Sequence, residues 1–472
     1  MADTAPSREE VQTPQTGFRR AIGLLPATAV NMTQMCGIGP FITIPIMVAT
    51  MGGPQAIVGW IAGALLAMAD GLVWAELGSA MPSAGGSYVY MREAFQYRSG
   101  RLMPFLFIWT AMLTIPLIMA TGIIGLVDYL GYFFPNLAFW PRHLIGVGFT
   151  VAVVFALYRR IESIRTITTV LWIVMLAAVT LTIAAAFTDF HTHLAFTYPA
   201  GAWGSGFIGG LGAGLVIAIY DYLGYYTVAE MGDELANPGR VMPRAIMISI
   251  GAMCLIYLSL NIGVIGTMPW QQVAKSTSVA SAVVTRNWSH SAADVVTVLI
   301  IITAFASVFA GLLGGSRLPF HAARERVFFR FFGRLHPRLG FPHVALLVMG
   351  LITAIGSFFN LTTVINLLLA ATVLLQAVPQ IVALTVLRRR QPGLYRPYKQ
   401  WLYPLPSLAA LAGWIYVYTS ASATSLIGSA VWIVAGIAAY LAWARANQQW
   451  PFRPPEVREV YIEEQRREAV RA

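Results

Sequence analysis

The stretch QMCGIGPFITIP, Gln34 to Pro45, falls in the middle of the first long apolar run of the chain. It carries Gly37 and Gly39, then Pro40, then a second proline at Pro45. Glycine and proline are both poor residues for a helix interior. Inside a bilayer, a spanning helix must satisfy its backbone hydrogen bonds internally. The run is therefore expected to split into two half-helices at Gly37 to Gly39. Pro40 is expected at the first position of the second half, where its missing N–H costs nothing. The new N-terminus would expose free N–H groups and the positive end of a helix dipole, an anion cradle without a charged residue. The candidate donors are the amides of Ile38, Gly39, Phe41 and Ile42, with Cys36 and Gly37 completing the unwound stretch.

The rest of the chain explains why a span is at stake. Of 472 residues, 57% are hydrophobic and 11% charged, where a soluble domain carries roughly 25% charged residues. Mean hydropathy is +0.67. Twelve apolar runs are long enough to be read as transmembrane, near 22–49, 55–79, 102–130, 142–158, 167–188, 204–230, 243–266, 292–316, 343–360, 362–387, 404–421 and 426–445. A span takes about 20 apolar residues. β-Barrel strands would be about ten residues of weak alternation, which these runs are not. The first twenty residues are polar and lead through Arg19-Arg20 into a run too long for a signal core, so no cleavable signal peptide is expected.

The net charge of +11 is a topology signal. With the N-terminus inside and strict alternation through twelve spans, only Arg142, Lys275 and Arg286 of the 31 basic residues fall outside. This is the positive-inside pattern, and it removes the reason to invoke nucleic acid. Both termini are then cytoplasmic: a segment over 1–20, a transmembrane domain over 21–446 and a tail over 447–472. Between spans eight and nine, arginines from Arg317 to Arg338 interleave with Phe320, Phe328, Phe329, Phe331 and Phe332, which suits either an interfacial helix or a loop packed under the bundle. The polar outer loop from Pro269 to Ser291 is long enough for a short lid.

Enzyme chemistry would leave a cluster of histidine, cysteine or carboxylate. The seven histidines lie in loops or at run ends, and Cys36 and Cys254 fall inside spans, so neither a catalytic centre nor a metal site is expected. His191 and His193 read as a solvated loop. No phosphate loop suggests a primary pump, and no filter repeat suggests a channel.

What remains is a second interruption. Span six reads AIYDYLGYYTVAEMGDELANPGR, with Tyr220, Asp221, Tyr222 and Gly224 at its middle. Spans one and six open two successive sets of five. Glycine- or proline-broken spans at matching positions point to an inverted-repeat transporter with substrate at the breaks. Break one offers N–H groups to a carboxylate. Break two offers carbonyls to an amine. One molecule carrying both groups is an amino acid. Ionisable residues at membrane depth are functional candidates by default. Asp221 leads as a holder of a cation or a coupling proton, with Glu230 and Asp70 as further candidates. Asp128 lies near the outer end of span three. Glu76 is read as structural, paired with a nearby arginine. The Ser307 hydroxyl in span eight could line an ion site, although serine in a span commonly bonds its own helix.

Five elements in order carry a resemblance: Gly37-Ile38-Gly39-Pro40-Phe41, Trp74 to Phe95, Gly232 to Ile246, Ser316 to His343 and Leu387 to Pro406. Over nearly its whole length the chain resembles the amino acid–polyamine–organocation transporter superfamily. Pro40 departs from the aliphatic residue usual there and removes one donor. The resemblance implies an all-α membrane fold of the leucine-transporter type. That means 5+5 inverted repeats, about 21–190 and 200–390, then two extra helices over 403–446, with helices 1 and 6 unwound at mid-membrane. It implies secondary transport of amino acids or polyamines across the cell membrane by alternating access, with no cofactor. Proton-coupled symport is the leading mechanism, H+ the expected coupling ion and Na+ the alternative. Exchange, or sensing without transport, are the competing functions; no large extramembrane domain favours a sensor. Some proton-coupled members carry a lysine in span five. Met175 aligns there, so that lysine's role is not carried over. The expected partners are a small-molecule substrate and the lipid bilayer, with the oligomeric state open.

Overall fold

The computed structural model describes residues 22–82, 85–158, 164–337 and 341–452, the side chains of 164–171 excepted. The segment 1–20, Arg159, Arg160, Arg338 and the tail from residue 453 lie outside the described residues. The chain folds into α1 (Leu24–Met35), α2 (Gly39–Met51), α3 (Ala56–Ala80), α4 (Ser87–Ser99), α5 (Leu102–Leu130), α6 (Phe139–Leu157), α7 (Ile164–Thr188), α8 (Thr192–Phe196), α9 (Phe207–Tyr222) and α10 (Thr227–Glu230). It continues through α11 (Pro238–Thr267), α12 (Trp270–Val273), α13 (Val279–Asn287), α14 (His290–Gly315), α15 (Arg317–Arg324), α16 (His343–Gly356), α17 (Leu361–Thr372), α18 (Val378–Arg390), α19 (Leu405–Ser420) and α20 (Ala423–Ala446). A π-helical turn, Val373–Ala377, joins α17 to α18. Among the described residues there is no β-sheet, and the one extended pairing is a bridge between Ile22 and Leu235.

Every one of the twelve apolar runs is helical, but they are not twelve full-length rods. Among the described residues, seven helical stretches are long and apolar enough to cross a membrane, two of them running through α14–α15 and α17–α18, and the pair α1 and α2, bent by 53° at its break, makes an eighth. The runs that fall short have physical reasons. Run six stops at Tyr222 because the chain turns at Leu223 to Tyr226. Run nine ends at Gly356, and Asn360 starts the next helix by accepting the Thr363 N–H at 2.8 Å, a side-chain N-cap. The protein is an all-α, multi-pass membrane protein.

Two hydrophobic cores organise the bundle. The larger gathers α1, α2, α3, α9 and α11, and it contains both breaks. The smaller gathers α5, α14, α16 and α20 with α15 and the turn after it. Small residues let backbones approach where large ones would not. A Cβ on Gly63 of α3 would meet Ala218 Cβ of α9 at 2.8 Å, and one on Gly122 of α5 would meet Val308 of α14 at 2.8 Å.

At one end of the bundle a buried ionic cluster ties α3 to α18 and the loop beyond. Glu76 is 1% exposed. Its two oxygens accept a fork from Arg388, with Nε at 2.7 Å from Oε1 and Nη2 against Oε2. Oε2 also accepts the Gln400 N–H at 2.7 Å, and Arg396 Nε lies 3.6 Å from Oε1. The carboxylate is fully satisfied, as a buried charge must be. This is the arginine partnership that the sequence predicts for Glu76. At the opposite end Asp128 of α5 pairs with Arg142 of α6, so Asp128 is likewise an ion-pair partner. Replacing Glu76 with Gln strands Arg388 and Arg396 against a neutral amide. A stability loss of about 3 kcal/mol is expected, read as a lower melting temperature of the detergent-purified protein.

Candidate functional site

The first break is set by Pro40. Pro40 has no N–H to offer the Cys36 carbonyl, and its ring crowds that carbonyl in any continuous helix. α1 therefore closes with the Cys36 N–H on Met32 O at 2.8 Å, and α2 opens at Gly39. Pro40 takes the second helical position, one later than expected. Among the described residues, the amides of Gly37, Ile38 and Gly39 have no intramolecular partner. Phe41 N–H donates to Ile38 O at 3.0 Å, which corrects its place among the free donors. The cradle is thus one residue earlier than the sequence predicts.

The second break lies later than expected. Tyr220, Asp221 and Tyr222 form the last turn of α9, and the irregular stretch is Leu223 to Tyr226. Leu223 N–H still reaches Ile219 O, which keeps that turn helical. The chain then turns at Gly224, whose φ of +111° is open only to glycine at low cost. A side chain is doubly excluded there, because a Cβ would sit 2.7 Å from Cβ of Gln34 at the end of α1. The two breaks touch.

One hydroxyl joins them. Tyr257 of α11 places its OH 2.8 Å from Met35 O and 2.8 Å from Asp221 O. These are carbonyls of the last turns of α1 and α9, which lose their helical partners where the helices stop. Above this bridge, Asp221 is 2% exposed and faces α2. Its Oδ2 is 2.5 Å from the Thr43 hydroxyl, which also lies 3.0 Å from Gly39 O. Its Oδ1 has no hydrogen-bond partner and lies against Gly39, where a Cβ would be 2.1 Å away. No arginine answers this carboxylate among the described residues.

The remaining predicted residues sort by neighbour. Tyr220 donates to Thr121 Oγ1 of α5 at 2.5 Å, because the Thr121 proton is committed to Ile118 O at 2.6 Å. Tyr222 turns away and bonds Trp60 O at 3.3 Å. Ile38 and Ile42 pack on Gly125 of α5. Ser307 bonds its own helix at Thr303 O, 2.9 Å, while its hydroxyl faces Gly37. Asp70 is 1% exposed and acts on break two from α3. Its Oδ2 accepts Tyr225 OH and, at 3.0 Å, Trp74 Nε1, and Trp74 stacks on Tyr226 at 4.3 Å. Glu230, at the end of α10, is exposed, sits beside Gly86 and lies four residues past the end of break two. Met175 is buried in α7.

Sequence reasoning missed Thr43, Thr121, Tyr129, Asn31 and Tyr257. Tyr129 OH donates to Phe41 O at 3.1 Å. Asn31 of α1 accepts Val228 N–H of α10 at 2.8 Å and donates to Ser249 at 3.3 Å. Beyond α1, Ile22 N–H bonds Glu234 O at 3.0 Å and Ile22 O accepts Ala236 N–H at 3.0 Å. The available signal was polar residues within apolar runs, Asn31 in the first and Tyr257 in CLIYLSLNIG.

Two broken helices set side by side in a multi-pass bundle, with free amides on one and a buried carboxylate on the other, are the machinery of a membrane transporter of small solutes. The comparisons agree. The chain belongs to the amino acid permease family, whose model matches residues 22–449, within the amino acid–polyamine–organocation superfamily. It is a permease and not an enzyme. It is similar to the serine/threonine exchanger SteT of Bacillus subtilis (strain 168), 25% identical over 442 residues, 91% of this chain and 97% of that protein. It is similar to the branched-chain amino acid permease BcaP of the same organism, 23% identical over 463 residues, 92% of this chain and 95% of that one. The Asc-type amino acid transporter 1 of Mus musculus is 28% identical over 396 residues, 82% of this chain and 73% of its own.

Replacing Tyr257 with Phe leaves two buried carbonyls without their shared donor, a cost of about 1–3 kcal/mol. The expected result is reduced transport with a small drop in melting temperature, measured side by side in proteoliposomes and in detergent.

Proposed function

We propose that the chain is a secondary transporter that carries amino acids across the cell membrane by alternating access, coupled to protons. The arrangement proposed is the leucine-transporter type, 5+5 inverted repeats and two further helices, with both termini cytoplasmic. The substrate carboxylate lies on the amides of Gly37, Ile38 and Gly39. Its amine meets carbonyls at the ends of α1 and α9. No cofactor takes part.

The observation that carries this reading is the Asp221 carboxylate, buried against the Gly39 cradle with one oxygen unpartnered. A substrate carboxylate entering that cradle meets a second carboxylate. At a separation of about 4 Å and an effective dielectric of about 20, two like charges repel by roughly 4 kcal/mol. A proton on Asp221 removes the repulsion, so proton and substrate bind together. That mutual dependence is a coupling free energy, and it is what symport requires. The local hydrogen bonds accommodate the proton. Thr43 has one hydrogen for two acceptors. When Asp221 is protonated it donates to Thr43, and Thr43 donates to Gly39 O.

A carboxylate cradle favours amino acids over polyamines, which lack the group it binds, and the relatives SteT, BcaP and Asc-type amino acid transporter 1 are amino acid exchangers, permeases or transporters by name. Asp70, Glu230 and Ser307 are then secondary for coupling: Asp70 holds break two, and Glu230 lies outside the site. Na+ as the coupling ion and strict exchange are the alternatives.

Uptake of labelled serine, threonine and branched-chain amino acids into proteoliposomes tests this reading. An inward proton gradient is expected to drive accumulation. Asp221→Asn is expected to keep exchange of internal for external amino acid and to lose the response to the gradient. Equal gradient response in the variant would remove Asp221 from coupling. Failure to move any amino acid, in either mode, would overturn the transporter reading of the site.

A further inference from the structure

The end of the bundle that carries the Glu76 cluster also carries most of the arginines. Contacts place them together: Arg101 Nη1 donates to Arg326 O at 2.6 Å, Tyr88 OH donates to Glu325 at 2.7 Å, and Arg390 lies over the Tyr97 ring at 3.2 Å. Among them, α15 and the turn after it form a distinct patch. Arg317, His321 and Arg324 recur at helical spacing and share one face. All three are exposed, while Pro319, Phe320, Ala322 and Ala323 on the other face are buried against the smaller core. Arg326, Arg330 and Arg334 follow, each exposed.

Among the described residues none of Arg317, Arg324, Arg326, Arg330 and Arg334 forms an ion pair. The acid in this segment, Glu325, is engaged by Tyr88. Burial and the adjoining carboxylate hold the Tyr88 phenol above its ordinary range, so it remains a donor and Glu325 remains occupied. Five arginines within eighteen residues thus face one acid of the segment, Glu325, and none of the five is ion-paired among the described residues. Two large apolar side chains stand beside them, Phe331 at 44% and Leu335 at 40% exposure. The patch begins two residues after the last residue of α14, at the end of a stretch long and apolar enough to cross a membrane. A bilayer crossed by α14 would bring these arginines to its headgroup region.

We propose that this segment, Arg317 to Leu335, is a binding surface for anionic phospholipid. The guanidinium groups engage headgroup phosphates, and Phe331 and Leu335 enter the acyl boundary. Unpaired arginines match anionic headgroups in charge, and the exposed apolar pair matches a bilayer better than an acidic protein in solution. The site is separate from the helix breaks, so it holds whether or not the transport reading does.

The test uses the full chain in nanodiscs of phosphatidylcholine alone or mixed with phosphatidylglycerol. Amide hydrogen exchange of residues 317–335 and lipid retained on release into the mass spectrometer are the two readouts. Phosphatidylglycerol is expected to slow exchange in this segment and to be retained over phosphatidylcholine. The triple variant Arg324→Gln, Arg330→Gln, Arg334→Gln is expected to lose retention by about fivefold per arginine removed. The corresponding triple lysine variant, a control for folding, is expected to keep most of it. Equal retention of both lipids, or undiminished retention by the glutamine variant, would overturn the proposal. So would displacement of phosphatidylglycerol by poly-glutamate, which would assign the patch to an acidic protein partner.

Discussion

A helix in a bilayer cannot leave its backbone unanswered, and this fold is arranged around two places where it does. α1 and α9 both stop inside the bundle, and each stop orphans carbonyls on one side and amides on the other. The carbonyl side is answered within the protein. The Tyr257 hydroxyl lies at 2.8 Å from one carbonyl of each helix, so a third helix, α11, fixes the distance between the two breaks. The amide side of break one is left open. That asymmetry between a closed acceptor end and an open donor end is what the proposed substrate site would use.

Buried carboxylates show three solutions to one cost. Glu76 is neutralised by a guanidinium fork and contributes to architecture. Asp70 is held by neutral donors, a phenol and an indole, and uses them to press break two against α3. Asp221 has one hydroxyl and an empty side. The degree of satisfaction falls in that order. Asp70 and Asp221 both lack a cation and each leaves one oxygen unpartnered, but Asp221 has a single donor where Asp70 has two, so Asp221 is the costliest of the three to keep dry and ionised.

How much of this could be read in the sequence depends on where the determining interaction lies. Gly37, Gly39 and Pro40 act on their own backbone, so break one was legible to within a residue. Break two was legible as a region but displaced, because Tyr220 to Tyr222 stay helical through packing on α3 and α5 that no local pattern records. Glu76 and Arg388 are 312 residues apart, and only the expectation that a buried charge needs a partner suggested such a pair. Tyr257 was invisible for a stricter reason. Its role is defined by two carbonyls belonging to two different helices, α1 and α9, and carbonyls have no letter in a sequence. Glu230 looked buried from its place in an apolar run, and the turn at Gly224 carried it to the surface.

The short bridge at Ile22 has a mechanical consequence. Ile22 exchanges two hydrogen bonds with Glu234 and Ala236, and Asn31 takes the Val228 N–H. These three bonds stitch α1 to α10 and the stretch that follows it, all on the same side of the breaks. Parting the two would cost about 1 kcal/mol per bond before any packing is lost. Swinging them together costs none of the three. α1 and the stretch around α10 are thus tied to each other, so a displacement of one at the glycines would carry the other with it.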